Sequence, residues 1–409
     1  MGFVRLILVG VFTGIYVRKL SKLYIKHSVV PKIRRFTPWV YANEIDSSPE
    51  EFQSGEVVAL FSKKDGFLGT AYVNPKCAIF ARILSFGKEE IGKKFFHNRI
   101  KRAIAKREAL LNITNAVRLI HSEADFLPGL IVDKYGDTLA IQINTAGMEA
   151  FRDLIISTLK QMVNPSWIVE KSDLHSREIE GLESKNGTLF GTPSKQFELN
   201  ENGLSFLVDI EDAQKTGFYL DQRKNRAICA SYVKEGDTIL DVCCNAGGFG
   251  IFALSKKAKN AVFVDISESA IEQTKANLHV NGMENYEVYS ADAFSFMKEK
   301  KYKNSFDMII LDPPSFAKTK EQAQGAKRGF KHLLMESTKA VKDGGIIGFF
   351  SCSHHVGRKE LLDIAMEVSH DLKVQYILLE QMQQDSDHPC LINASASFYL
   401  NGLLLRVEK

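Results

Sequence analysis

From Gly236 onward the chain repeats one pattern, and that repetition limits its fold more than any other feature: a continuous apolar run, a tight turn, then a helix. Residues 238–242 lead into a helix over 249–256, 261–264 into 269–280, 286–289 into 293–298, and 306–311 into 330–341. Strands that are apolar on both faces and alternate with helices form a parallel sheet covered on both sides. Ser269 with Glu272 reads as a capping box opening the second helix, and Asn281-Gly282 as its stop. A fifth apolar strand covers 345–350. The expectation is a doubly wound α/β domain.

In such sheets a ligand lies beyond the carboxyl ends of the strands, where the strand order reverses, so the polar residues expected there carry the most information. Asp241 precedes Val-Cys-Cys-Asn-Ala-Gly247-Gly248-Phe249-Gly250, a turn whose missing side chains let backbone N–H groups approach a ligand. It is not the G-x-G-x-x-G of dinucleotide binding, and its glycines alone would mark no more than a tight turn. Asp265 ends the second strand, where a carboxylate can accept both hydroxyls of a ribose. Asp292 follows the third and suits an adenine amino group. Taken singly, each Asp is ordinarily a helix N-cap; three in register on successive strands fit a ligand edge better.

Asp312 follows the fourth strand in Leu311-Asp312-Pro313-Pro314-Ser315-Phe316. Two prolines end the ladder and pin the loop, which suits recognition of a flat base by its hydrogen-bonding edge, although a purely structural Asp-Pro-Pro turn reads the same until the next strand is considered. The fifth strand brings Ser351-Cys352-Ser353-His354-His355 to the same edge. A buried Cys is usually an inert small hydrophobe, but among hydroxyls and imidazoles at a ligand edge it reads as a nucleophile.

Upstream the style differs. Short β-rich runs at 57–61, 67–73 and 78–84, split by Lys64-Asp65-Gly66 and Asn74-Pro75, read as a small all-β module. A basic helix is expected over 92–112, then strands at 129–133, 138–144 and 167–170 with a helix over 148–162. The boundaries expected are an N-terminal extension over 1–20, a β module over 21–92, a middle α/β segment over 93–203 and the doubly wound domain over 204–409. The apolar run 6–17 is too short to span a membrane as a helix and lacks a small-residue cleavage signal.

The formal net charge is only +4, yet residues 18–35 hold seven Lys or Arg and no acid, and 88–107 hold eight against two. The remainder is therefore net acidic, and the basic N-terminal third suits a polyanion. Apolar residues at 45% and charged residues at 25% exclude a disordered or fibrous chain. Six Cys without a C-x-x-C pair indicate neither zinc nor disulfides; no metal is expected, and a reducing compartment, the cytoplasm, is the default.

Seven segments together resemble the bacterial ribosomal large subunit methyltransferase I family: Arg35-Phe-Thr-Pro-Trp39-Val-Tyr, Arg118-Leu-Ile-His-Ser-Glu-Ala-Asp-Phe-Leu-Pro-Gly129, Lys215-Thr-Gly-Phe-Tyr-Leu-Asp-Gln-Arg223, the glycine turn, Asp312-Pro-Pro, Ser351-Cys352-Ser353, and Asp387-His388-Pro389. The resemblance implies a PUA RNA-binding module, a linking α/β domain and a Rossmann-like class I domain. It also implies S-adenosylmethionine (SAM) as cofactor and 5-methylcytosine formation in 23S rRNA. Carried onto matching positions, it implies that Cys352 and Asp312 are catalytic. Cofactor binding would fall to Lys215, Gly217, Phe218, Asp221, Arg223, Asp241, Asn245, Gly247, Gly248, Phe249, Asp265, Ile266, Asp292, Ala293 and Asp312, with 215–223 closing over SAM. Pro313, Pro314, Ser315 and His388 would face the base, His388 being equally readable as a core histidine. Ser315 stands where other families carry a second Cys, which makes this a one-cysteine version. Cys243-Cys244 and the leading 20 residues depart from the family pattern.

Cytosine C5 is a poor nucleophile that needs a thiolate at C6, whereas nitrogen methylation needs no thiol. The target base must leave its stack, which favours single-stranded or unfolded ribosomal RNA. Two other readings stay open: a guanine nitrogen methyltransferase with a packed Cys352, and a ribosome-assembly factor that binds RNA without catalysis. No membrane partner is expected, and a homodimer is left open.

Overall fold

The computed structural model describes residues 20–194, 196–210, 218–316, 321–353 and 355–409. The apolar run 6–17, Lys215, Gly217 and His354 lie outside the described residues. The first sheet takes β1 (Ser21–Ile25), β2 (Trp39–Tyr41), β3 (Val57–Ser62), β4 (Gly66–Val73) and β5 (Ile79–Ser85) in the order β1-β3-β4-β5-β2. Val58, Leu60, Val73 and Phe80 fill its core. Strands β3 to β5 fall where the alternating runs put them. The module is not purely β, because Val30–Arg34 is helical with Pro31 in its first turn, a position where the missing N–H costs no bond.

The basic helix spans Lys93–Ala105 and stops short of Asn112; a 3-10 turn over Glu108–Asn112 follows. The cause is Arg107, which is buried and donates to the carbonyls of Ala103 and Arg118 and to both oxygens of Asp125. Of the basic residues here, Lys93, Lys94, Lys101 and Arg102 are exposed, while Arg99 pairs with Glu89. The second sheet takes β6 (Ala116–His121), β7 (Leu130–Tyr135), β8 (Thr138–Ile143), β9 (Trp167–Lys171) and β10 (Asn186–Gly191) in the order β10-β9-β8-β7-β6. Helices Ala146–Ala150 and Arg152–Val163 make the crossover between parallel β8 and β9. A hairpin of β11 (Gln196–Glu201) and β12 (Leu204–Asp209) turns at Asn202-Gly203, both with positive φ, as a two-residue hairpin loop demands.

The third sheet holds β13 (Thr238–Val242), β14 (Asn260–Asp265), β15 (Tyr286–Ser290), β16 (Phe306–Leu311), β17 (Val341–Ser351), β18 (Gln375–Gln383) and β19 (Asn401–Glu408). Its order is β15-β14-β13-β16-β17-β19-β18; the first five strands are parallel, and β19 is antiparallel to both its neighbours. Side chains alternate across the sheet: Ile239, Phe263 and Ile310 join the core under helices Arg223–Ser231 and Gly248–Ser255, whereas Leu240, Val262 and Ile309 join the one under Ala323–Ala340 and Arg358–Leu372. The helix after β14 begins two residues before the expected capping box: Ser267, not Ser269, is its N-cap and accepts from the Ala270 N–H. Order reverses between β14-β13 and β13-β16, which puts the switch point at the carboxyl ends of β13 and β16.

Candidate active site

At that switch point the turn after β13 is built on positive φ at Cys243, Asn245 and Gly247. Such a backbone is costly for a cysteine, and it turns successive N–H groups toward one side. The turn is tied to β14, since the Cys244 N–H donates to the Val264 carbonyl and the Asn245 N–H to Asp265. A Cβ on Gly250 would lie 2.2 Å from the Phe263 ring, so helix and strand approach this closely only with glycine there.

Three of the expected acids are staggered and not in register. Asp241 sits inside β13, level with Phe263, buried, with Oδ2 accepting from the Gly250 N–H. Asp265 is the last residue of β14 and accepts from the N–H groups of Asn245 and Ser267, which leaves lone pairs for ligand hydroxyls. Asp292 is an exposed N-cap that accepts from Ser295 N–H and Oγ. The acids nonetheless converge: burial together with Asp265, Asp312, Asp241 and Asp292 pushes the Cys243 thiol up to about 12. Burial also raises Cys244 and Cys229, so these three thiols are protonated at neutral pH and poor nucleophiles.

Asp312 is half-buried and accepts from Gln222 Nε2 at 2.9 Å. Burial, with Asp221 nearby, raises its carboxyl to about 7; burial likewise raises Asp241 to about 7. Pro313 is buried, whereas Pro314 and Ser315 are exposed. The half-buried Cys352 has its Sγ 4.0 Å from the Pro313 carbonyl oxygen, so the Asp-Pro-Pro loop and the thiol share one edge. Tyr219, which sequence reasoning passed over inside the segment 215–223, is 43% exposed. Partial burial and the nearby Asp312, Cys352, Asp221 and Asp265 push its phenol up to about 12.

Other expected residues have partners within the fold. Phe249 is buried against Phe350, and Gly248 lies against the Arg226 side chain. Phe218 packs on Phe206 beneath the Arg226 guanidinium, while its N–H donates to Tyr135 Oη. Arg223 is 1% exposed and committed to Asp385, Asp387 and the Ala116 carbonyl, so its guanidinium ties the loop after β18 to β6. His388 is 2% exposed, paired with Asp387 and with its ring 5.2 Å from that of His121, the packing of a core histidine. Asp221 accepts from Tyr399 Oη, and Ala293 is the half-buried first residue of the helix capped by Asp292.

A ligand that brings positive charge and hydrogen-bond donors fits what remains. Asp221 Oδ1, Asp241 Oδ1 and Asn225 Oδ1 are buried with no hydrogen-bond partner among the described residues. Ile266, next to Asp265, is 74% exposed, an apolar surface free to cover a flat ring. SAM has a sulfonium, an ammonium, ribose hydroxyls and adenine, and the residues present fit it. Among the described residues no group of three or more His, Cys, Asp or Glu could hold a metal, and no helix is long and apolar enough to cross a membrane.

Comparison with known proteins adds the family context. Residues 23–86 match the PUA-like domain model, and residues 125–373 match the S-adenosylmethionine-dependent methyltransferase model. The chain is 37% identical over 383 residues to the ribosomal RNA large subunit methyltransferase I of Shewanella denitrificans, covering 92% of this chain and 96% of that protein. It is 36% identical over 385 residues to the protein of that name from Alteromonas mediterranea, with the same two coverages. The fold matches the crystal structure of SMU.776 complexed with SAH (TM-score 0.83, 23% identical, 95% of this chain and 100% of that one).

Proposed function

Since this chain belongs to the ribosomal RNA large subunit methyltransferase I family of SAM-dependent methyltransferases, we propose that it makes 5-methylcytosine in large-subunit ribosomal RNA through a covalent adduct of Cys352. The observation that carries the reading is the 4.0 Å approach of Cys352 Sγ to the Pro313 carbonyl, which joins the thiol to the Asp312 loop. Bound SAM supplies an electrophilic methyl group on a sulfonium. Asp241, Asn245, the turn at Gly247, Asp265, Ile266 and Asp292 would hold it, with Asp221 beside them.

Cys352 attacks as the thiolate, and the S–C6 bond forms as the C5–C6 π pair moves into the ring. Asp312 has a carboxyl near half-protonation at neutral pH and so can donate to the pyrimidine N3 as that charge arrives. C5 would take the methyl group as the methyl–sulfur pair stays with the cofactor as a thioether; a base then removes the C5 proton, that pair restores the C5–C6 double bond as the S–C6 pair returns to sulfur and frees the thiolate, and N3 returns its proton to Asp312. The carbonyls of Pro313 and Pro314, on a loop that two prolines stiffen, accept from the exocyclic amine. The exposed Lys93, Lys94, Lys101 and Arg102 and the PUA-like module position the phosphates of a single-stranded or unfolded substrate in the cytoplasm.

The test is incubation with unmodified ribosomal RNA and labelled SAM, followed by nucleoside identification. The wild-type chain should yield 5-methylcytosine, and Cys352→Ala should lose at least about a thousandfold in rate, the scale of removing an essential nucleophile. A methylated guanine or adenine, or an active Cys352→Ala variant, would reject the reading.

A further inference from the structure

Antiparallel neighbours can be joined by two residues, yet β18 and β19 are joined by the long loop 384–400. Its ends stand at the catalytic edge, because Gln383 pairs with Asn401 and Asn401 pairs with Ser351, the residue before Cys352. The base of the loop is fixed to the site: the Asp385 N–H donates to the Asp221 carbonyl and Tyr399 Oη donates to Asp221 Oδ2. Arg223 holds both Asp385 and Asp387.

The tip is braced from within. Gln384 Nε2 donates to the Ser397 carbonyl at 2.5 Å, and Ser397 Oγ accepts from the Leu391 N–H and donates to the Ala394 carbonyl, both at 2.7 Å. The Ala394 N–H donates to the Leu391 carbonyl. On this stiff tip Ile392 is 86% exposed, with Phe398 42% exposed in the same loop. A large aliphatic side chain held out by a rigid loop forgoes burial that a floppy loop would let it find.

We propose that Ile392 is a wedge that enters the RNA base stack beside the target nucleotide and holds open the gap left when the target base turns out toward Cys352. Aliphatic side chains play this part in proteins that unstack base steps, and an enzyme that works on an extruded base benefits when the vacancy is filled. The occupant follows from position: both ends of the loop stand beside Ser351, so an RNA whose target base reaches Cys352 must pass the loop that carries Ile392. The inference rests on the proposed role of Cys352 only for where the base goes.

Two RNAs of one local sequence test it, one with the target cytosine in a hairpin stem and one with it in an unstructured strand, each carrying 2-aminopurine next to the target. With wild type and Ile392→Leu, the stem RNA should brighten as its stack opens and be methylated. Ile392→Ala should not brighten it and should lose at least about tenfold in kcat/KM on the stem while staying within about twofold on the strand, as expected when only unstacking is impaired. SAM affinity should be unchanged in all three, as a control on folding. Equal activity of Ile392→Ala on both RNAs, an equal loss on both, or no brightening with wild type would overturn the proposal. Cys352→Ala should still brighten the stem, so failure of the C5 chemistry and failure of the wedge give different results.

Discussion

Asp241 and Asp312 share a property that reaches beyond their neighbours: burial holds both carboxyls near pH 7, while the Arg226 guanidinium pulls each partly back. A cationic ligand held by Asp241 favours the charged form of that carboxyl, so SAM affinity should rise as pH increases from 6 to 8 and level off above. Calorimetric titration checks this, and Asp241→Asn should flatten the profile. Stability of the ligand-free protein runs the other way. Both folded-state pKa values exceed the ordinary carboxylate value, so between about pH 4 and 7 the folded state binds more protons than the unfolded one, and stability falls as pH rises through that window. The gain in Tm on adding SAM should therefore grow from pH 6 to pH 8.

Among the elements, those with strong periodicity could be read from sequence almost to the residue. β13 and β16 fall on their expected bounds, and β17 was expected at its apolar half. β6 was missed because Ala116–His121 neither alternates nor runs apolar, with Arg118 set in its middle to pair with Asp133. The hairpin β11–β12 was missed although Asn202-Gly203 is a hairpin signal, because β11 has only Phe197 and Leu199 on its inward face and its third inward position is Glu201, buried against Arg226, which cuts the apolar alternation short. At the candidate site, strand order predicted that the Asp312 loop and Cys352 share one sheet edge, as the 4.0 Å approach of Cys352 to the Pro313 carbonyl shows, whereas the burial of Arg223 depends on Asp385 and Asp387, over 160 residues away. Gly250 offers a test at this scale. Gly250→Ala should destabilise the protein by about 1–3 kcal/mol, the range for overpacking, and weaken SAM binding by moving the turn off Asp241. Unchanged thermal unfolding and SAM affinity would contradict this.

At the scale of the whole molecule, buried charge joins the domains. Asp387, fully buried, accepts from Arg223 and from the Arg118 N–H and pairs with His388, while its carbonyl accepts from Arg107. His388, Arg223 and the Arg118 N–H hold its carboxyl well below the usual range against the effect of burial. A depressed folded-state pKa gives stability that is present above pH 4 and lost as pH falls below it. Asp387→Ala should cost about 3–5 kcal/mol at neutral pH, the scale of a broken buried pair, and should weaken the acid sensitivity; denaturant titrations at pH 7 and pH 3.5 measure both.

The insertion of β19 between β17 and β18 has a consequence for synthesis. β18 emerges from the ribosome before β19, the only strand it pairs with among the described residues, so it has no such ladder to join until the nascent chain has reached β19. The same late strand sets the foot of the loop beside Cys352. A half-made copy, surrounded by the very RNA its family modifies, thus lacks the strand that flanks Ser351 and Cys352.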